Sequence, residues 1–337
     1  MAKTIGMEMP DEIDIVLPWV DGNDPVWRLR FDCFSDLEKG DKRNIRFRDW
    51  GLLQYWFRGV EKFAPWIRKI HFITSGELPE WINLESPKLN WVKHEDYIPQ
   101  EFLPTFSSNV IEIFMHRIKD LSEHFIYFND DVFLTAPTKP ADYFYKQLPT
   151  DFAILDPIVP RDVYGSYVNG IHVVDRYFSK RKVVEQHFSK WINLKYGKYL
   201  LKSMLLLPWR HFPGLLVAHI SQPYRKTTFE EVWDVEQLLL LETAKSRFRS
   251  QADVNQWLFR FWHLAKGDFS PKNTLKRGRY VSMDSTTIDA ICGWIQGGEW
   301  QEICLNDVTE DVDFERYKQM LHEAFEHILP EKSNFEK

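Results

Sequence analysis

Residues 125–131 read Phe125-Ile126-Tyr127-Phe128-Asn129-Asp130-Asp131, and Val132-Phe133-Leu134 follow at once. Four strand-forming residues run straight into two adjacent carboxylates. Carboxylates are seldom buried unless paired or bound to a cation, so an acidic pair between apolar runs asks for a reason. A divalent cation held at the carboxyl end of a strand, where it meets phosphate oxygens, supplies one. A turn after an edge strand is the plain alternative, since Asn and Asp favour turns.

Working outward, Ile13-Asp14-Ile15-Val16-Leu17 predicts a first strand, and Pro18 to Pro25 the loop leaving it. The charged residues 28–46 read as a surface excursion. Asp49 is placed to cap a helix whose apolar face is Trp50, Leu53, Phe57 and Val60. Lys69–Thr74 and Lys88–Val92 predict further strands, and Asn109-Val110-Ile111-Glu112 a helix opened by a capping box. Strands alternating with helices predict an α/β fold with a largely parallel sheet. Asp21 and the Asp130-Asp131 pair then both lie where strands end in loops, the edge at which open α/β sheets bind ligands. The second half is more helical. Thr228-Phe229-Glu230-Glu231 forms a capping-box pattern, and Phe314, Tyr317, Leu321, Phe325 and Ile328 mark an amphipathic helix closed by Pro330.

A chain of 337 residues suits one large or two modest domains. Its net charge of -6 does not favour general nucleic-acid binding. The abundance of Trp and Phe suits core building and also the lining of sugar and base sites. Cys33, Cys292 and Cys304 are odd in number and lack a C-x-x-C, which argues against a disulfide framework or a zinc site. Met1 to Glu12 has no apolar stretch, no apolar run approaches bilayer length, and no Asn-x-Ser/Thr sequon occurs. The expectation is a cytoplasmic protein, with a peripheral place at the inner face of the membrane as the further option. Between 176 and 202, Arg176, Lys180, Arg181, Lys182, Lys190, Lys195, Lys198 and Lys202 face a single acid, Glu185. A solvated helix face explains such a run, as does contact with an anionic polymer or a membrane surface.

Four regions carry a resemblance. They are Ile13–Val16 with Trp19-Val20-Asp21-Gly22-Asn23-Asp24-Pro25; Arg48-Asp49 through Glu61–Arg68, Leu103–Asn109, Ile111-Glu112, His116-Arg117 and Phe125–Asp131; about His219 to Asp253; and Cys304-Leu305-Asn306-Asp307 with Phe325, Leu329, Pro330 and Phe335-Glu336. In this order they resemble the Stealth proteins, hexose-1-phosphate transferases that include bacterial capsule polymerases and the eukaryotic N-acetylglucosamine-1-phosphotransferase of lysosomal enzyme targeting. The match weakens between about 136 and 205. Pro18 stands where many relatives have Thr or Ser.

The resemblance implies a Rossmann-like or GT-A-like, mostly parallel sheet with helices on both faces and a helical C-terminal half. Residues 1–135 would form the nucleotide-sugar-binding part. Residues 136–205 would be a variable, basic helical insertion touching the acceptor or a membrane, and 206–337 would complete the same catalytic domain. The implied reaction is attack by an acceptor sugar hydroxyl on the β-phosphorus of a UDP-N-acetylhexosamine or UDP-hexose, with UMP leaving, in capsule or cell-surface polysaccharide synthesis. Such phosphoryl transfer needs charge neutralisation and in-line positioning. Mg²⁺, or Mn²⁺, would be held by Asp130, Asp131, Asn306 and Asp307. Asp21 and Trp19 would face the nucleotide sugar, although Trp19 also reads as a plain buried aromatic. Arg48, Asn109, Arg117 and Arg225 join that donor-binding set, with surface ion pairs as the alternative for the arginines. Glu112 reads as a general base or as the cap of its own helix. Asp130, His219 and Arg249 complete the catalytic set, His219 for proton transfer or phosphate binding and Arg249 as a forked phosphate clamp. A metal-dependent glycosyltransferase would use similar loops, attack the anomeric carbon and release UDP. A non-catalytic carbohydrate binder fits less well with so many carboxylate, His and Arg candidates.

Overall fold

The computed structural model describes residues 9–35, 37–42, 47–159, 165–283, 286–307 and 313–337. Its strands are β1 (Ile13–Pro18), β2 (Lys69–Thr74), β3 (Leu89–Lys93), β4 (His124–Tyr127), β5 (Val132–Leu134), β6 (Phe144–Tyr145), β7 (Leu148–Asp151), β8 (Gln222–Arg225), β9 (Ser270–Pro271), β10 (Gly278–Ser282) and β11 (Glu302–Asn306). The central sheet has the order β3-β2-β1-β4-β8. Its first four strands are parallel, and β8 closes one edge antiparallel to β4. The α/β expectation holds, and helices cover both faces.

Alternation along the strands decides those faces. Ile13, Ile15 and Leu17 of β1 join Ile126 and Phe128 in one core with the helices Leu53–Phe63 and Phe314–Ile328. Val16, Phe125 and Tyr127 point the other way, into a core built with the helices Ser108–Ile113, Lys226–Ala244 and Gln256–Lys266. A period of two along a strand buried on both sides gives this division. Ala153, Leu155 and the helix Gly165–Tyr177 share the second core, so the segment 136–205 packs into the body of the protein.

The connection from β1 leads through β2 to β3 on one side, whereas β4 lies on the other side of β1. The crossover direction therefore reverses between β1 and β4, and their carboxyl ends flank the resulting crevice. The chain leaves β4 through Asn129, Asp130 and Asp131 and enters β5 at once. β5 belongs to a second sheet of order β10-β11-β5.

Several local expectations need correction. Residues 28–35 continue a helix, Pro25–Ser35, that lies at the surface with Arg30 and Asp32 exposed and is anchored by Trp27 and Phe31, buried with Phe106 and Phe248. Residues 36 and 43–46 lie outside the described residues. The helix after Asp49 starts at Leu53, and the Asp49 carboxylate instead accepts from the Gly51 amide at 2.8 Å. The helix at Thr228 starts earlier, at Lys226, and Glu231 pairs with Lys266. The basic stretch is largely engaged. Arg176 pairs with Glu236, Arg181 with Glu185, and Lys190 donates to the Gly267 carbonyl. Lys180 is 2% exposed and donates to the carbonyls of Leu206 and Leu207, at the end of the helix Tyr199–Leu206.

Candidate active site

Asp130 and Asp131 stand at the carboxyl end of β4, as their sequence setting predicts. β11 fixes the loop: the Leu305 amide donates to the Asp131 carbonyl at 2.9 Å, and Cys304 pairs with Val132. The Asp130 side chain opens to water at the crevice, yet the protein wall around its carboxyl disfavours charge. Burial, followed by the neighbouring Asp131, pushes the Asp130 pKa up to about 7, and burial pushes Asp131 up to about 6. Oδ1 of Asp131 is buried without a hydrogen-bond partner, and Oδ2 receives the Cys304 thiol at 3.5 Å. An acceptor oxygen left bare beside a second carboxylate fits a cation.

Asn306 ends β11, and its amide donates to the Tyr280 hydroxyl at 2.5 Å. Asp307 is already occupied: Arg48 Nε and Nη2 each donate to its carboxylate at 2.7 Å, and Trp50 Nε1 adds a third bond at 3.1 Å. Arg48 and Asp307 thus spend their charges on one another. Among the described residues, no group of three or more His, Cys, Asp or Glu is gathered around a point that could hold a metal. The expected quartet is therefore reduced to the Asp130-Asp131 pair, with Asn306 alongside. Mg²⁺ often takes only one or two carboxylates and completes its shell with water and substrate phosphate.

Glu112 is set by the short helix Ser108–Ile113, which follows Ser107 rather than opening at Asn109. Its carboxylate meets the Ser108 side chain at the start of that helix, and it also reaches outside the helix. It accepts from the Tyr127 hydroxyl at 3.0 Å and the Gln256 amide at 3.1 Å. Burial raises its pKa, and the positive charge of Arg249 acts in the opposite direction. The Arg249 charge likewise favours the ionised forms of Asp130 and Asp131. Glu112, Asp130, Asp131 and Arg249 are therefore one electrostatic group.

Asp253 holds this group in register. It accepts from Asn109 Nδ2 at 2.9 Å, Ser246 Oγ at 2.7 Å and the Ser250 amide at 2.8 Å, so it ties the Glu112 helix to the Arg249 segment. Asn109, expected to touch the donor, is instead spent on this bridge. His219 is exposed, with its ring beside Tyr280 at 5.1 Å and Trp257 at 6.2 Å between centroids. The surrounding protein lowers its pKa. The Tyr280–Asn306 bond brings it to the same edge. Trp19 leans on Phe72 at 5.8 Å, and Asp21 accepts from the Asn23 amide in a turn off β1.

Arg117 and Arg225 are not brought to this edge. Arg225 pairs with Asp268 and lies opposite His124, at the start of β4. Arg117 stacks over Phe114 and Trp233 at 4.8 and 4.7 Å. Four residues were missed as site members: Asp49, whose charge raises the Asp130 pKa, together with Tyr127, Asp253 and Tyr280. Asp49 stands beside Arg48 in a region that carries the resemblance, and its spacing points to a cap. Tyr127 was visible as a strand residue three positions before Asp130.

Comparison with known proteins adds an independent line. The family described as Stealth protein CR2, conserved region 2, matches residues 46–151, which contain Glu112, Asp130 and Asp131. The chain is 41% identical to a capsular polysaccharide phosphotransferase, WcwK, of Streptococcus pneumoniae, over 98% of this chain and 100% of the relative. It is 37% identical to the receptor polysaccharide phosphotransferase WefC of Streptococcus oralis, over 97% of this chain and 99% of the relative. It is 34% identical to the exopolysaccharide phosphotransferase cps2G of Lactiplantibacillus plantarum, over 97% of both.

Proposed function

This chain belongs to the Stealth family of polysaccharide phosphotransferases, and from that premise we propose that it moves a sugar-1-phosphate from a nucleotide sugar to a saccharide hydroxyl. The donor is a UDP-N-acetylhexosamine or UDP-hexose, the product a phosphodiester within a capsular or cell-surface polysaccharide, and the leaving nucleotide UMP. The observation that carries this reading is the convergence of Glu112, Asp130, Asp131 and Arg249 on one crevice, with Asp131 Oδ1 bare.

Bond making at the β-phosphorus needs a stronger acceptor oxygen. Glu112, held by Tyr127 and Gln256, takes the hydroxyl proton. Its raised pKa makes it a better base than an ordinary carboxylate. Arg249 offsets the negative charge of the diphosphate, and the bridge through Asp253 keeps that cation beside Glu112. His219 stands at the rim in its neutral form, suited to accept or pass a proton. Asp130 and Asp131 would hold Mg²⁺, which when bound neutralises phosphate charge and steadies the leaving UMP.

The test is product identity. The enzyme is incubated with a panel of nucleotide sugars, Mg²⁺ and a saccharide acceptor. UMP as the stoichiometric nucleotide, with a phosphodiester resonance in the phosphorus NMR of the saccharide product, is the expected result. UDP with a phosphorus-free glycoside overturns the proposal in favour of a glycosyltransferase.

A further inference from the structure

The helix Tyr199–Leu206 buries Leu200 and Ser203 and turns the rest of its apolar length outward. Leu201 is 65% exposed and Leu205 74%, with Met204 at 49%, Leu194 at 89% before the helix and Trp209 at 64% after it. Leu201 and Leu205 are one turn apart and Lys198 and Lys202 flank them, so leucines and lysines share one face. Isolated exposed leucines need no explanation, but a continuous set with a Trp at its end does.

The segment itself carries charge of one sign. No Asp or Glu occurs between Glu185 and Glu230, although the chain has 49 acids in 337 residues. Lys195, Lys198, Lys202 and Arg210 are all exposed within that span, and of these Lys202 pairs with Asp156. Beside the same segment opens a cavity of about 380 Å³ lined by Lys195, Lys272, Asn273, Lys276, Arg277 and Gln301. Asp142 pairs with Lys272 there, and Glu302 with Arg277. Lys195 donates to the Pro271 carbonyl, which leaves further donor capacity on its ammonium, and Lys276 is exposed. Among the described residues, no helix is long and apolar enough to cross a membrane.

We infer that residues 194–210 dock on the surface of an anionic lipid bilayer, with Leu201, Leu205 and Trp209 inserted at the headgroup level and the lysine-lined cavity facing lipid phosphates. Apolar side chains among an excess of cations, with Asp156 and Asp175 as the acids paired to Lys202 and His211, match the chemistry of an anionic membrane interface better than that of another protein or a neutral saccharide. Tyr and Trp prefer that interface. The helix also connects to the active-site rim. Ser203 Oγ accepts from the Leu155 amide, the Leu216 amide donates to the Ile154 carbonyl, and three residues later the chain reaches His219. A bilayer seated here lies next to the segment that carries His219. This inference does not depend on which nucleotide leaves.

The test uses the full chain and vesicles of phosphatidylcholine, alone or with about one third phosphatidylglycerol, in co-sedimentation. Wild type should pellet with the anionic vesicles, remain in solution with the neutral ones, and be released by high salt. Leu201→Ser with Leu205→Ser should weaken binding at least about tenfold, given the apolar surface removed. Lys198→Gln with Lys276→Gln should weaken it by a similar factor at low salt. Unchanged melting temperatures and unchanged turnover on a water-soluble acceptor would show that the fold and site are intact. Three outcomes overturn the inference: no wild-type binding to anionic vesicles, equal binding by the variants, or a wild-type dimer that the leucine variant dissolves without any vesicle binding.

Discussion

Replacing Glu112 with Gln separates chemistry from packing. The side chain is 5% exposed, and its oxygens accept from Tyr127 at 3.0 Å and Gln256 at 3.1 Å. The substituted amide keeps one acceptor oxygen for the Gln256 amide. The Tyr127 and Ser108 hydroxyls can rotate to accept from the new NH₂ group. At most one neutral hydrogen bond is lost, a cost of about 1 kcal/mol or less. For a domain of this size that lowers the melting temperature by about 2–4 °C at most. Loss of a general base lowers the chemical step by about 10²–10⁴-fold, or about 3–5 kcal/mol of barrier. The two effects differ enough to be read apart. Nucleotide release at saturating donor gives kcat, and calorimetry gives the melting temperature. Wild-type activity should also rise with pH as Glu112 ionises, above the ordinary carboxylate range because burial raises its pKa, and E112Q should lack that limb. An E112Q enzyme that retains wild-type kcat at temperatures where it is fully folded would refute the base assignment.

Asp130 and Asp131 make a pH prediction. Their folded-state pKa values of about 7 and about 6 stand above the ordinary 3.8, so their neutral forms stabilise the fold. That stability is fully present below about pH 4 and is lost as pH rises through 6 to 7. In chelator, scanning fluorimetry should show the wild-type melting temperature falling across that window, with Asp131→Asn flattening the fall. Mg²⁺ should restore wild type above pH 7 and leave D131N unmoved; identical profiles for the two proteins would count against the pair as a cation site. Chelation should also abolish turnover, and full activity in excess chelator would end the metal assignment. Asp151→Asn should cost about 3–5 kcal/mol in urea unfolding, because Arg260 is 1% exposed and loses its bidentate partner. Lys180→Gln should cost about 1–3 kcal/mol and speed amide exchange in Tyr199–Leu206, whose last carbonyls it now holds.

The parts of this fold that a reader of the sequence can see are those that periodicity controls. Lys69–Thr74 and Phe314–Ile328 come out with the expected ends, since each carries its own buried stripe. The acidic loop is visible because two carboxylates break an apolar run. Partner choice is not visible. Arg48 meets Asp307 across 259 positions and Asn109 meets Asp253 across 144, and both pairs divert residues expected to touch the donor. The capping patterns at Asp49 and Thr228 failed for a related reason. A short polar side chain bonds whatever tertiary contact brings to it, and local spacing does not contain that contact.

The pairing of β5 with β11 has a consequence for biosynthesis. Asp131 is only four positions beyond β4, yet its carbonyl is held by Leu305 and its strand by Cys304, 173 positions from Asp131. A nascent chain can complete β1 to β4 long before the segment around residue 305 leaves the ribosome. Until that segment arrives, the two repelling carboxylates hang on an unpaired loop. Loop closure over such a separation is slow relative to local pairing. The crevice is therefore finished last, after the sheet that carries it, and the partly made protein passes through synthesis with its charged centre unassembled.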